Sequence, residues 1–211
     1  MSHILFGTVN TKTYGLIVAP YEIPMPLPRT DYVEIPGRNG SLDLSEAFGH
    51  VLYNDRLIPI TLYAVGSYNA NVSTFVNAVH GKRMQITFSK DPTYYYNGRV
   101  VVVSLTKQDG YCEIGLEITA EPYKLAQTET SVSRSGNGTV TLKNGCMPVV
   151  PVITNTQEST ITFTYQGASV QATLATGTHT VPTLILGENE TKAVTVASTG
   201  KTTFKFRKGA L

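Results

Sequence analysis

The stretch EIPGRNGSLDLSEAFG, Glu34 to Gly49, places Pro36-Gly37 and Asn39-Gly40 on either side of a single arginine, Arg38. A glycine loop of this kind can cradle a phosphate, but the nucleotide loop then continues Lys-Ser/Thr to hold the terminal phosphates and their metal. Here Gly40 is followed by Ser41-Leu42-Asp43, so that chemistry lacks its cation. Neither a G-x-S-x-G nucleophile turn nor a G-x-G-x-x-G after a strand occurs anywhere in the chain. The four histidines, His3, His50, His80 and His179, never approach H-x-H or H-x-x-x-H spacing. Cys112 and Cys146 are far apart and outside any C-x-x-C pair. Asp43 with Glu46, and Glu188 with Glu190, are carboxylate neighbours with no accompanying acid–base signature. No cofactor, metal or catalytic centre is expected.

The same opening stretch has a better account in backbone terms. Pro36 presets φ for the first corner of a turn, and Gly37 accepts the positive φ that a type II turn needs next. Asn39-Gly40 is a strong hairpin signal, because both residues tolerate the left-handed region. Arg38 is thereby held on a constrained loop. Its five donors suit a carboxylate on a neighbouring surface, or else the side chain is simply solvated.

A second dense cluster is Tyr94-Tyr95-Tyr96-Asn97-Gly98-Arg99. Three consecutive residues on a strand alternate faces, so at least one ring is expected to face outward. Such rings serve a core and a protein interface together, or an aromatic platform for sugars or single-stranded nucleic acid. The segment Pro20 to Pro28 has prolines at alternate positions, Pro24, Pro26 and Pro28, which cannot donate to a central ladder. It is expected as an extended arm at a sheet edge, or as a polyproline recognition element.

The elements that must position these residues are mainly β. The charged share is 15%, against roughly 25% for an ordinary globular chain, and there are 18 Gly and 12 Tyr amid abundant Thr and Val. That deficit suits a surface covered by partners, and Thr-rich solvent-facing strands produce it equally well. Net charge is only +2, with no basic excess that speaks for nucleic acid or a membrane surface. Residues 1–126 carry 10 Lys+Arg against 11 Asp+Glu, and residues 127–211 carry 7 against 4. The N-terminus shows no secretory pattern, and no apolar run approaches the roughly 20 residues of a membrane span. A soluble product of the cytoplasm is the expectation, in which the sequons at Asn71, Asn137 and Asn189 carry no meaning.

Along the chain, Ile4 to Val9 and Tyr14 to Val18 read as a hairpin turned at Asn10–Thr13. Tyr32 to Ile35, Arg56 to Val65, Met84 to Ser89, Arg99 to Lys107 and Tyr111 to Glu121 read as strands. Val72, Phe75, Val76 and Val79 recur at helical spacing behind Asn71 as N-cap, with Gly81 as the stop. From Lys124 the texture turns polar and aperiodic, and residues 127–138 read as a linker. Beyond it, short strands at regular spacing predict a small all-β sandwich or jelly roll over residues 139–211.

Taken in order, Leu5-Phe6-Gly7, Tyr14-Gly15-Leu16-Ile17-Val18, the Glu34–Asp43 stretch, Tyr53-x-x-Arg56, one short helix, Asp91-Pro92 with Tyr94–Val100, and Glu121-Pro122-Tyr123 resemble the distal tail proteins of long, non-contractile-tailed bacteriophages and prophages. Residues 4–123 carry most of this likeness. Asn144-Gly145-Cys146-Met147-Pro148 and the closing Phe204–Leu211 are similar to the galectin-like sandwich of that family. The resemblance implies a structural protein, not an enzyme: an N-terminal β-sandwich-like ring domain with one helix (1–126), then a small galectin-like sandwich (139–211). It implies a hexameric ring at the virion tail tip, assembled in the host cytoplasm, with a channel through which DNA passes without specific binding. Implied partners are the tail tube protein, the tail-tip protein and receptor-binding components at the second domain. Pro24, Pro26, Pro28, Arg38, Asn39, Tyr94, Tyr95 and Tyr96 are the expected interface residues. A carbohydrate-binding host-recognition module is the alternative, suggested by the tyrosines and the second sandwich.

Overall fold

The computed structural model describes residues 2–47, 49–66 and 69–211, and the side chain of Asn69 is also left out. Phe48, within the opening stretch, therefore lies outside the described residues. The chain forms two compact units, Met1–Lys124 and Leu125–Leu211.

The first unit contains β1 (Ile4–Phe6), β2 (Val9–Asn10), β3 (Leu16–Val18), β4 (Tyr32–Glu34), β5 (Ser41–Asp43), β6 (Arg56–Val65), α1 (Asn69–Val79), β7 (Arg83–Phe88), β8 (Tyr94–Gln108) and β9 (Tyr111–Ala120). Its main sheet is antiparallel in the order β2-β1-β7-β8-β9-β6-β3. Period-two alternation decides which face is core. On β6, Ile58, Ile60, Leu62 and Ala64 are buried, and on β9 so are Cys112, Ile114, Leu116 and Ile118. Helix α1 covers this face with Val72, Phe75 and Val79, as its spacing predicts. Phe75 meets Phe6 and Tyr14 edge-on, with ring centroids 5.9 and 5.8 Å apart. Burying each such side chain contributes about 1.5–3 kcal/mol, so these rows dominate the stability of the unit.

Two local expectations fail here for identifiable reasons. Asn10 does not turn a hairpin: its side chain accepts the Lys12 N–H at 3.0 Å and caps a 3₁₀ turn over Thr11–Tyr14. Consequently β1 pairs with β2 and β7, whereas β3 pairs with β6. The helix begins at Asn69, so Asn71 lies within its first turn, where its amide donates to Tyr14 O at 3.5 Å. Gly98 has a steric reason: a Cβ there would stand 2.9 Å from Ile118 Cγ2 and 3.0 Å from Thr119 O on β9.

The second unit follows β10 (Lys124–Ala126), and contains β11 (Thr130–Ser135), β12 (Gly138–Lys143), β13 (Val152–Asn155), β14 (Ser159–Tyr165), β15 (Ala168–Leu174), β16 (Gly177–Thr180), β17 (Thr191–Ser198), β18 (Lys201–Phe206) and β19 (Gly209–Ala210). Two four-stranded antiparallel sheets, β11-β18-β13-β16 and β12-β17-β14-β15, enclose Leu142, Ile153, Ile161, Phe163, Val194, Val196, Phe204 and Phe206. The stretch read as a linker contains β11, which pairs with β18 from Thr130↔Phe206 to Ser135↔Lys201. It escaped notice because only Val132 supplies an apolar signal on this polar edge strand.

Both outer faces of the sandwich carry hydroxyl pairs across strands. Examples are Thr139 with Thr195 at 3.2 Å, Thr160 with Thr173 at 3.1 Å and Ser133 with Thr203 at 3.0 Å. These solvent-facing ladders account for part of the low charge without invoking a partner.

Candidate assembly interface

The proline arm is fastened to the first unit by Arg56, a residue quoted above only as part of a pattern. The residue is 3% exposed, and its guanidinium lies over the Tyr96 ring, 5.2 Å from the centroid. Nη1 donates to Pro24 O at 3.3 Å and Nη2 donates to Pro122 O. Burial lowers the pKa of Arg56, and Tyr96 partly offsets this. The same burial raises the pKa of the Tyr96 phenol, against the pull of Arg56. Two backbone carbonyls and an aromatic face thus take the place of a carboxylate partner. Downstream, Arg29 N–H donates to Leu52 O at 2.7 Å and Asn54 N–H to Leu27 O at 2.9 Å, around a bridge between Pro28 and Tyr53. Pro24 and Pro28 are exposed, but Pro26 is buried and belongs to the chain's own interior. Between them Met25 and Leu27 face outward, Leu27 being 71% exposed.

The arm leads into the β4–β5 hairpin, which pairs only with itself, from Tyr32↔Asp43 to Glu34↔Ser41. Arg38 N–H donates to Ile35 O at 3.1 Å, and Gly37 adopts φ +82°, which is the turn that Pro36-Gly37 predicts. Gly40 is also left-handed at φ +77°, but Asn39 is not, so the two do not form the expected Asn-Gly hairpin turn. Arg38 and Asn39 are both exposed at the tip. The tip encloses an open concavity of about 440 Å³ lined by Glu34, Ile35, Pro36, Arg38, Gly40 and Ser41. Its one guanidinium shares the space with a carboxylate, which is the wrong balance for a phosphate. Ser45 braces the base, donating its N–H to Asp43 Oδ1 at 2.9 Å and accepting from Asp31 N–H at 3.0 Å. The Ser45 hydroxyl first, and then its backbone N–H, hold the Asp43 carboxyl below its ordinary pKa by hydrogen bonding. Tyr32, Val33, Ile35 and Leu44 nevertheless face solvent. Two-stranded hairpins are marginal in water without a face to pack on.

Besides its end at β2, the main sheet leaves two longer stretches of strand open at an edge. β7 pairs with β8 only over Tyr96–Arg99, and Val102 N–H then donates to His80 Nδ1 at 3.0 Å. Beyond this point β8 runs on from Val103 to Gln108 with β9 on one side only among the described residues. Val103 is 58% exposed and Leu105 is also exposed; both face a groove of about 270 Å³ shared with Val76 of α1 and His80 just beyond its end. At the other end, β3 pairs only with β6 and exposes Ile17. Register rows run straight between the two edges: Val18-Leu62-Ile114-Leu105, Ile17-Tyr63-Glu113-Thr106 and Leu16-Ala64-Cys112-Lys107. Both edges therefore lie at one height, on either side of the four neighbouring strands β3-β6-β9-β8. The face away from the core carries Glu113 and Glu117 on β9 and the exposed Arg99 on β8, in register with Thr119, while β3 and β6 offer no Lys or Arg there, Arg56 being buried.

The tyrosine cluster is corrected by burial. Tyr95 and Tyr96 are both buried, and Tyr94 is half-buried with Lys124 Nζ 4.8 Å above its ring. Tyr96 also meets Phe88 edge-on at 5.8 Å. Both faces of β8 are covered at this level, so alternation exposes no ring. The second unit has Phe163, Phe204 and Phe206 in its core and Tyr165 packed against it, which leaves no outward aromatic platform among its described residues.

Asn144 pins the loop that opens the second half's familiar motif. Its buried amide donates to Met147 O at 2.8 Å, Gly187 O at 2.9 Å and Leu186 O at 3.1 Å. Nearby, burial and then the Glu188 carboxylate 3.5 Å away raise the pKa of the Cys146 thiol, which disfavours a nucleophilic role. Among the described residues, no three His, Cys, Asp or Glu side chains stand together as a metal-holding group.

No protein-family model matches the sequence, and no curated protein matches it either. Solved structures do match, and one of them is the crystal structure of SPP1 Dit (gp 19.1), described as a paradigm of the hub adsorption apparatus in phages infecting Gram-positive bacteria. The two chains cover each other completely, with a TM-score of 0.77 at 14% identity. The fold is that of SPP1 Dit. The likeness to Dit covers both units, so it includes the second half, weaker in motifs, as well as the first. At this identity the fold persists while individual side chains have diverged. The roles of Arg56, the hairpin and the open edges therefore rest on their own geometry.

Proposed function

We propose that this chain is a structural subunit of a phage tail hub: a hexameric ring at the distal end of the tail tube, with a central channel for DNA. One observation carries the proposal beyond the shared fold. The four-strand stretch β3-β6-β9-β8 of the first unit has two different open edges, β3 and distal β8, at matching height. Pairing the β3 edge of one copy with the β8 edge of the next is a heterologous contact, and heterologous contacts close into rings when the rotation allows. Continuous strand pairing would then satisfy the backbone groups that each edge leaves open. The outward face of these four strands, with Glu113 and Glu117 against the single exposed Arg99 of β8, would face the channel without a cationic excess. Tight DNA binding requires several phosphate-neutralising cations on one surface, so the duplex would pass without being held.

The arm and hairpin supply the second contact surface. Met25, Leu27, Tyr32, Val33 and Ile35 are apolar and exposed, and Arg38 and Asn39 stand at the tip. They are suited to the tail tube protein, the tail-tip protein or a neighbouring ring subunit. The second unit would meet receptor-binding components. Assembly takes place in the host bacterial cytoplasm, and the product resides in the virion tail tip. Among the described residues no helix is long and apolar enough to cross a membrane. The burial of the second unit's aromatic rings weighs against the carbohydrate-binding alternative.

The two-edge arrangement makes a specific demand on mixing experiments. Ile17→Lys should block one edge, and Val103→Lys with Leu105→Lys the other, at exposed positions where the fold itself tolerates charge. Each variant alone should remain monomeric by light scattering. Mixed in equal amounts they should give a dimer and nothing larger, because one intact edge pair remains. Rings from either variant alone would place the interface elsewhere.

A further inference from the structure

Three strands of the second unit end in the same way. The inward-facing residues of β13 are Ile153 then Asn155, those of β14 are Ser159, Ile161 and Phe163, and those of β18 are Thr202, Phe204 and Phe206. Each strand is apolar along the core and polar at one terminal inward position, the last of β13 and the first of β14 and β18. All three polar positions fall at one end of the sandwich: Asn155 and Thr202 are register partners across β13 and β18, and Ser159 follows Asn155 after a three-residue turn into the facing sheet. They are at most 2% exposed. Asn155 Oδ1 and Nδ2, Ser159 Oγ and Thr202 Oγ1 find no hydrogen-bonding partner in the protein.

The end of the sandwich above them is sealed. Thr156 N–H donates to Lys201 O at 3.0 Å, and Lys201 N–H returns to Thr156 Oγ1 at 2.7 Å. Ser198 Oγ donates to Glu158 O at 3.0 Å, tying the same turn to β17. Gly200 lies so close beneath that a Cβ would stand 2.7 Å from Thr156 Oγ1. Bulk water therefore does not solvate these groups, and four polar atoms in one enclosed layer is far from the usual satisfaction of buried polar groups.

We propose that this layer is a binding site for internal water, one or two molecules shared by Asn155, Ser159 and Thr202 and linking the two sheets. The chemistry selects water over a cation. Three neutral oxygens can ligate a monovalent ion, but Asn155 Nδ2 needs an acceptor, and only a molecule that both donates and accepts serves all four atoms. Buried waters make about three hydrogen bonds to groups otherwise left unpaired.

The test is the sign of a change in thermal stability, read on the second unit's unfolding in the full chain. With water bound, Ser159→Ala and Thr202→Val each remove a partner of that water. The melting temperature should then fall by about 4–8 °C, the shift expected of a domain this size for one lost hydrogen-bond set. If the layer is dry, the same changes remove a penalised hydroxyl and the melting temperature should rise, which overturns the proposal. Ser159→Ala, the smaller change, keeps the test readable should Thr202→Val fail to fold. A crystal structure of the unsubstituted chain after a rubidium soak gives the second reading. A bridging peak with no anomalous signal supports water, and an anomalous peak at Asn155 Oδ1 overturns it in favour of a cation.

Discussion

Arg56→Ala is expected to destabilise the first unit by about 3–5 kcal/mol and to free the proline arm. Two charge-assisted hydrogen bonds, to Pro24 O and Pro122 O, are each worth roughly 1.5–3 kcal/mol, and their loss leaves two carbonyls without that donor. Loss of the contact over Tyr96 adds to this. Arg56→Lys should recover only part of the loss, since an ammonium cannot reach both carbonyls with the planar fork of a guanidinium. Urea unfolding followed by circular dichroism measures the stability, and limited proteolysis between residues 20 and 30 reports release of the arm. Unchanged unfolding with an uncut arm would show that Arg56 fastens nothing.

Asn144→Asp is expected to cost the second unit about 3 kcal/mol or more at neutral pH, although the side chains are nearly isosteric. The native amide faces three carbonyl oxygens at 2.8–3.1 Å. An ionised carboxylate in that position replaces donors with negative charge at a buried site. The carboxyl introduced there should have a folded-state pKa raised above its unfolded value near 4, so the native state of the variant retains a proton longer than the unfolded state. Its stability should therefore be greatest below about pH 4 and fall as pH rises through the folded-state pKa. Melting temperatures of variant and parent compared at pH 4 and pH 7 check this. A deficit independent of pH would mean that Asn144 acts through shape and not through its donors.

Elements with a strong apolar period were legible in the sequence. The Val72-Phe75-Val79 stripe and the alternation of β6 and β9 declare which face is core, because burial of large side chains outweighs every local term. The Pro36-Gly37 turn was legible for a different reason: Gly37 is among the few residues able to occupy φ +82°. Less visible were features decided by long-range pairing. β11 is a strand because β18 offers a partner, and nothing in TSVSRS announces it. Tyr95 and Tyr96 are interior because both faces of β8 are covered, a fact that a strand's own period does not contain.

The candidate interface divides along the same line. The exposed Pro24, Pro28, Arg38 and Asn39 stand where an arm and turn suggest, whereas Pro26 and the two inner tyrosines are buried in the chain itself. Arg56 drew attention only as part of a motif; that it would bind two carbonyls separated by Pro24 and Pro122 depends on tertiary contact. The open edges were visible only as the apolar run VVVVSL, which reads equally well as a buried strand. Their equal height emerges from three successive registers.

The central claim is that copies of this chain close head to tail into a ring through β3 and distal β8. Light scattering coupled to size-exclusion chromatography, with negative-stain images of the same peak, tests it most directly. The expected result is a species of six chain masses with a central opening. A monomer at every concentration, or a twofold dimer joined through a single self-complementary patch, would contradict it.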